Sequence, residues 1–329
     1  MTQSIFPDCF VFNGDADGLI SQHLMELSGI SPSMRVTGLK REIVLLEQLP
    51  YLETANIHVF DISLETNRAG LIRLLKNPRI NVIWFDHHEA GEIPASPNLR
   101  TRILNIPGTC TALLVHATLP DSDPRWAAMA SFGDNIPEAG EALVRPLKMK
   151  GFEISLLREA GVLLNYNAYG ESEADVLFQP LEVAGRLSAF RDPLEFVRES
   201  GLFESLRQQF REDESRALEI VPDEQRNRAR IYQLPPEPWV RRFGATFVNR
   251  LARENPALAL AVLHPLKDGS YQVSIRAPRT RETAVPLASD LAREFPTGGG
   301  RALAAGINRL APNAVPEFNR KFFDRYSSF

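Results

Sequence analysis

Three short apolar runs near the start of the chain share one design: each stops abruptly at acidic or histidine-bearing residues. Cys9-Phe10-Val11-Phe12 leads into Asn13-Gly14-Asp15-Ala16-Asp17-Gly18, and Ile57-His58-Val59-Phe60 leads into Asp61. Ile80-Asn81-Val82-Ile83-Trp84-Phe85 leads into Asp86-His87-His88. A fourth run, Met34-Arg35-Val36-Thr37-Gly38, ends near Lys40 and Arg41. Apolar runs without alternation predict strands covered on both faces, as in a parallel sheet. Between them, Leu19 to Leu27 and Asn67 to Leu75 space their apolar residues as a helix does. Strand and helix alternating in this way predict an open, right-handed βαβ sheet.

From Pro124 the pattern turns helical. Arg125 to Phe132 runs into Gly133-Asp134-Asn135, and Ile154 to Leu164, Leu181 to Phe190 and the charged, amphipathic Phe196 to Glu219 follow. The polar stretch Pro222 to Arg230 reads as a linker. Ala257 to His264 and Ser270 to Arg276 read as strands flanking the hairpin signal Lys267-Asp268-Gly269. Pro286 to Phe295 predicts a helix, and a second helix is expected from about Ala302, after Thr297-Gly298-Gly299-Gly300-Arg301. The expected organisation is α/β: an N-terminal parallel-sheet domain with a helical extension over residues 1–195, a helical linker over 196–230, and a smaller α/β domain over 231–329.

The 329-residue length, 44% hydrophobic residues and 24% charged residues describe a folded chain long enough for two cores. A formal net charge of -4 argues against coating long nucleic acid by charge alone, although a whole-chain sum hides local patches. Cys9 and Cys110 form no framework and no paired metal spacing; Cys9 reads as a small buried hydrophobe, and Cys110, between two threonines, carries little signal. Met1 to Asp8 shows no basic segment before an apolar core, and no apolar stretch is long enough to span a bilayer, so a cytoplasmic location is expected. His23, His58, His116 and His264 sit in apolar patterns and read as packing residues. Lys40 and Arg41 read as a solvated surface pair ahead of a pair reaching phosphate, and Asn165 to Glu171 as a helix end with a glycine stop ahead of a border to the substrate cleft.

In an open parallel sheet, ligands collect just beyond the carboxyl ends of the strands. The acid-bearing loops after the first, third and fourth runs would open on one edge of the sheet, so their side chains can converge. Asp15 and Asp17 flank Ala16 in a loop whose glycines, Gly14 and Gly18, relax the backbone. Taken alone, a turn with solvated aspartates explains them equally well. Adjacent histidines at a strand end cannot both point into the core, so His87 and His88 suggest a metal or phosphate role. Asp61 and Asp134 each have a bland reading as turn or cap residues. Together the set is rich in oxygen with one imidazole, which suits Mn²⁺ or Mg²⁺ over zinc. So many acids would repel one another without cations.

These residues resemble the motifs of the DHH phosphoesterase superfamily, which includes RecJ-type exonucleases, oligoribonucleases, family II pyrophosphatases and exopolyphosphatases. The first motif is similar to Asn13-Gly14-Asp15-Ala16-Asp17-Gly18, the second to Asp61, the third is Asp86-His87-His88 itself, and the fourth is similar to Asp134. Val273-Ser274-Ile275-Arg276 and Gly298-Gly299-Gly300-Arg301-Ala302-Leu303-Ala304-Ala305-Gly306 resemble the DHHA1 substrate domain. The resemblance implies a first metal on Asp15 and Asp61, and a second on Asp17, Asp61, His87 and Asp134, with Asp61 bridging. It implies Asp86 as a partner orienting the imidazoles and His88 as a contact to the substrate phosphate. Arg276, Gly298, Gly299, Gly300 and Arg301 would hold the remaining phosphate or nucleotide, the glycines through backbone N–H groups and the following helix through its N-terminus.

Two departures stand out. Many relatives place a first-metal histidine where this chain has Asn13, which offers only a weaker carbonyl ligand. Many also have histidine after the glycine triplet where this chain has Arg301, whose planar fork can grip a phosphate. The expected activity is metal-dependent hydrolysis of short oligonucleotides or linear dinucleotides, with 3′-phosphoadenosine 5′-phosphate as a related substrate. The expected cofactors are two divalent ions, manganese or magnesium. A polyphosphatase or pyrophosphatase is the enzymatic alternative, and a non-catalytic nucleotide- or phosphate-binding protein is the alternative of another class. No membrane and no long duplex DNA are expected as partners, and the chain is expected to be a monomer or homodimer.

Overall fold

In the computed structural model, which describes residues 6–279 and 285–327, the apolar runs become the strands of a parallel sheet. Its strands are β1 (Asp8–Asn13), β2 (Met34–Gly38), β3 (Ala55–Phe60), β4 (Ile80–Asp86) and β5 (Leu99–Ile103), in the order β2-β1-β3-β4-β5. Every neighbouring pair is parallel. The order changes direction between β1 and β3, and at such a switch point the loops beyond the strand ends part to leave a crevice. β5 was not expected. Its Arg100-Thr101-Arg102 is exposed at the sheet edge, so it lacks the continuous apolar signature of the inner strands.

The inner strands bury both faces. On one side Cys9, Val11, Ile57, Val59, Val82 and Trp84 pack with Leu71 and Leu74 of α2 (Arg68–Leu75). On the other, Phe10 meets Phe60 edge-on at 5.4 Å and Phe60 stacks on Phe85 at 5.8 Å. Each such aromatic is worth about 1.5–3 kcal/mol when fully buried. The same side carries α1 (Ala16–Leu27), α3 (Thr111–His116) and α4 (Pro124–Gly133). The helical extension continues with α5 (Pro137–Val144), α6 (Gly151–Ala168), α7 (Pro180–Leu187), α8 (Pro193–Glu199) and α9 (Phe203–Leu218). The expected Phe196 to Glu219 segment is thus two helices. Pro193 begins α8 under an Asp192 cap, and Gly201, at φ +73°, lies between it and α9.

The chain divides into two compact units, residues 1–208 and 209–329. The second holds a six-stranded sheet built from β6 (Glu224–Arg226), β7 (Ala229–Gln233), β8 (Ala259–Pro265), β9 (Tyr271–Arg276), β10 (Gly298–Arg301) and β11 (Ala304–Leu310). Its order is β10-β11-β9-β8-β7-β6, antiparallel except between β7 and β8. Besides the greater part of α9, the described helices of this unit include α10 (Pro238–Glu254), α11 (Ala288–Ala292) and α12 (Val315–Tyr326). Phe318, Phe322, Phe323 and Tyr326 of α12 pack with Ile231, Leu263, Val273 and Ile307 in its core.

Two expectations are corrected in this unit. The stretch from Pro222 to Arg230 carries β6 and the start of β7; its polar residues reflect an exposed sheet edge. The helix expected from Ala302 is instead β11, paired with β10 through Gly300↔Ala305 and Arg301↔Ala304. Alanine-rich composition favours a helix locally, but pairing on both sides of β11 overrides it. Among the described residues, no helix is long and apolar enough to cross a membrane. The first five residues of the stretch read for a leader lie outside the described residues.

Candidate metal centre

The loop after β1 is shaped by close approach. A Cβ on Gly14 would lie 2.2 Å from the Gly38 carbonyl oxygen, and one on Gly18 would lie 2.1 Å from that of Asn13. Neither glycine takes a positive φ, so the absent side chain is what the loop uses. Asp15 then caps α1, its Oδ1 accepting from the N–H groups of Asp17 at 3.1 Å and Gly18 at 3.2 Å. Asp15 Oδ2 accepts from the Lys40 ammonium.

Asp17 points from the first turn of α1 toward the start of α3. Its Oδ2 accepts from Thr111 N and its Oδ1 from Ala112 N, both at 2.7 Å. Asp61, just past β3, takes φ +58°, a left-handed conformation uncommon outside glycine. Its N–H still pairs with the Phe85 carbonyl at 3.0 Å, and its Oδ1 accepts from the Thr111 hydroxyl at 3.1 Å. Asp134 caps the end of α4. Asn135 follows at φ +59°, with Ile136 N donating to Ser131 O at 2.9 Å and Asn135 N to Phe132 O at 3.3 Å, a Schellman closure.

His87 is where these elements meet. Its Nδ1 lies 3.0 Å from the Thr109 carbonyl oxygen, which can only accept, so Nδ1 carries a proton and Nε2 is the nitrogen left to serve as a ligand. Nε2 faces Asp61 Oδ1 at 3.3 Å, Asp134 Oδ2 at 3.8 Å and Asp17 Oδ2 at 3.9 Å. Electron-rich atoms crowded on one point repel unless a cation lies among them. Ligands about 2.1 Å from a hard divalent ion sit about 3.0–3.4 Å apart, so Asp61 Oδ1 already stands at ligand spacing from Nε2, while Asp134 and Asp17 would close by about 0.4–0.9 Å. Asp17, Asp61, His87 and Asp134 therefore fit such an ion.

The electrostatics agree. Burial, followed by the neighbouring Asp17, Asp15, Asp86 and Asp134, pushes the Asp61 carboxyl well above its ordinary range. Burial and then Asp17 and Asp15 raise Asp134 to about 7. Asp15 goes the other way: burial pushes it up, but the Lys40 ammonium and the loop hydrogen bonds more than offset this. Burial likewise works against the Lys40 charge, yet Asp15, Tyr169 and Asp134 hold its pKa above the ordinary lysine value.

Several expected roles shift. Asp86 does not orient both imidazoles: its Oδ1 holds only His88, through Nδ1 at 2.7 Å, while Thr109 holds His87. The Asp86 hydrogen bond, against burial, raises the pKa of His88, whose side chain remains 46% exposed. Asn13 turns inward, its Oδ1 accepting from Asp15 N at 3.3 Å and its Nδ2 lying 3.5 Å from the Lys40 carbonyl. Lys40 is no surface residue; its ammonium sits on Asp15, 4.0 Å from Asp134 and 5.3 Å from the Tyr169 ring centre.

Arg276, Gly298, Gly299, Gly300 and Arg301 belong to the second unit. There Arg301 and Arg276 flank Ala304 in register on either side of β11. Arg276 donates to Asn249 Oδ1 at 3.0 Å. The glycine triplet lies in edge strand β10 with Gly300 at φ +131°, and no helix follows it.

Two contributors were missed. The segment Thr109 to Ala112 supplies a carbonyl, a hydroxyl and two N–H groups to His87, Asp61 and Asp17. Asn165 joins the two loops, accepting from Ala16 N at 2.9 Å and donating to the Gly133 carbonyl at 2.6 Å. Its signal in the sequence was a polar Asn-Tyr-Asn run within a helical pattern.

No family model matches the sequence, and no curated protein matches it either. Solved structures do match. RecJ of Thermus thermophilus, in complex with Mn²⁺, superposes with a TM-score of 0.64 at 19% identity, over 98% of this chain and 52% of RecJ. The DHH domain of a member of the S1p family of ribosomal proteins superposes at 0.66 with 12% identity, over 97% of this chain and 86% of that one. This is the DHH fold. A pGpG-specific phosphodiesterase from Vibrio cholerae, PggH, shares the DHH fold at a TM-score of 0.58 and 12% identity, over 97% and 98% of the two chains. The present chain spans about half the length of the Thermus RecJ.

Proposed function

We propose that this chain is a divalent-metal-dependent phosphoesterase that hydrolyses short oligonucleotides or linear dinucleotides, with 3′-phosphoadenosine 5′-phosphate as a related substrate. The observation that carries the reading is His87 Nε2 facing carboxylate oxygens of Asp17, Asp61 and Asp134 from separate element ends. These four side chains would hold the ion. Bound there, Mn²⁺ or Mg²⁺ supplies Lewis acidity and a water activated for attack on phosphorus.

The chain's own groups do the rest. The Thr109 carbonyl fixes the His87 tautomer, and the Thr111 hydroxyl fixes the Asp61 carboxylate. His88, with Nδ1 engaged by Asp86 and its pKa raised, offers Nε2 as a charged donor to a phosphoryl oxygen. Within the second unit, Arg276 and Arg301 flank Ala304 as a guanidinium pair suited to a phosphate. The small substrate is supported by the net charge of -4, which gives the chain no overall attraction for long nucleic acid. The pGpG-specific phosphodiesterase of the same fold supports it further.

The test is turnover by the purified chain, with Mn²⁺ or Mg²⁺ and with chelator, of linear dinucleotides, 3′-phosphoadenosine 5′-phosphate, polyphosphate and pyrophosphate. Dinucleotide cleavage abolished by chelator is expected. Turnover of polyphosphate or pyrophosphate alone rejects the substrate. Tight nucleotide binding without turnover under any divalent ion rejects the enzyme.

A further inference from the structure

The Asp15 side of the centre does not match the donor set of a first metal site. Asp15 Oδ1 is committed to the N–H groups of Asp17 and Gly18, and Oδ2 to the Lys40 ammonium. Asn13, in the place of a ligand, gives its carbonyl oxygen to Asp15 N. Among the described residues, the His, Cys, Asp and Glu groups with metal-ligand spacing are Asp17, His87 and Asp134, and Asp61, His87 and His88; neither includes Asp15.

We propose that this centre takes a single divalent cation, and that the Lys40 ammonium holds the place at which a second would bind. The proposal rests on the metal-centre reading above and fixes the number of ions that reading requires. Lys40 is not a mobile surface lysine that happens to fall inward. Its backbone N–H donates to the Ala168 carbonyl at 3.1 Å, its stem passes beside the Tyr169 ring, and only 23% of its side chain is exposed. Nζ touches Asp15 and stands 4.0 Å from Asp134, so it lies between an expected first-site ligand and a ligand of the His87 quartet. An ammonium is a compact point charge, suited to replacing a cation among carboxylates but not to polarising a water as a divalent ion does.

Competition for one oxygen points the same way. A second divalent ion on Asp15 Oδ2 would have to displace the ammonium from that same oxygen. Asn13 lacks the imidazole that would help it do so.

The test is metal stoichiometry. Metal-free protein is titrated with Mn²⁺ by calorimetry, and the loaded protein is examined by electron paramagnetic resonance. The wild type is expected to bind one ion per chain and to give the spectrum of isolated Mn²⁺. Lys40→Met keeps the stem over Tyr169 without the charge, and is expected to bind a second ion and show exchange coupling; Asn13→His added to it should tighten that ion. Two ions in the wild type overturn the proposal while leaving the metal-centre reading intact, as does failure of folded Lys40→Met to gain one. No ion in the wild type overturns both. Should Lys40→Met not fold, the wild-type count and spectrum decide alone.

Discussion

The two sides of the acidic cluster solve the same electrostatic problem differently. Around His87, the carboxyls of Asp17, Asp61 and Asp134 crowd one ring nitrogen, and two of them have raised pKa values. Around Asp15, a lysine from the loop after β2 supplies the counter-charge, and the carboxyl pKa falls. The first side is incomplete until an external cation arrives; the second is complete within the chain. Carboxylates equally buried can therefore be either a ligand set or a finished ion pair, depending on whether a cationic side chain reaches them.

The comparison breaks most readily at His87. His87→Ala should weaken Mn²⁺ binding by more than about 100-fold, since partners outside the ligand set alone are worth about 10–100-fold. Asn13→Ala should change it only a few-fold. Equal losses in a calorimetric titration would erase the distinction between the two sides. Next in size is Thr111→Val, which removes the hydroxyl from Asp61 and should cost about 10-fold or more in Mn²⁺ affinity with little change in melting temperature.

A third effect is read by pH. Asp134, at about 7, must lose its proton to ligate, so Mn²⁺ affinity should fall up to about tenfold per pH unit as pH drops below 7. The sign for folding follows. A carboxyl whose pKa is raised in the folded state contributes stability that is present below its unfolded pKa of about 4 and is lost as pH climbs through 7. In metal-free protein, Asp134→Asn should therefore flatten the decline in melting temperature between those limits. An unchanged slope would mean that Asp134 does not share in the repulsion.

The smallest effect belongs to Asn165, which braces both sides. Asn165→Ala should lower stability by about 1–3 kcal/mol in denaturant unfolding, because Ala16 N and the Gly133 carbonyl lose their partner. Metal affinity should drop only a few-fold. A larger drop than that of Thr111→Val would make the brace, not the threonine, the main positioning element.

What could be read in the sequence followed from burial and from chain position. β1, β3 and β4 announce themselves because inner parallel strands are apolar on both faces, and their acids were visible because they sit where strands end. β5 and β6 hide because edge strands carry arginine, glutamate and glutamine. β11 misleads because alanine and glycine take their conformation from their neighbours. Within the site, the side chains gathered around His87 were legible by type. Thr109 and Ala112 act through backbone atoms, which no residue type advertises, and Lys40 acts across a contact that only the folded chain creates.

The left-handed backbone of Asp61 has a consequence for how this centre tolerates change. Glycine is the residue best suited to φ +58°, so the local geometry alone would favour losing the side chain. Asp61→Gly would relax the turn and remove a self-repelling charge, and yet it would strip the His87 cluster of its nearest oxygen. Aspartate at this position thus exchanges ease of folding for an oxygen beside His87.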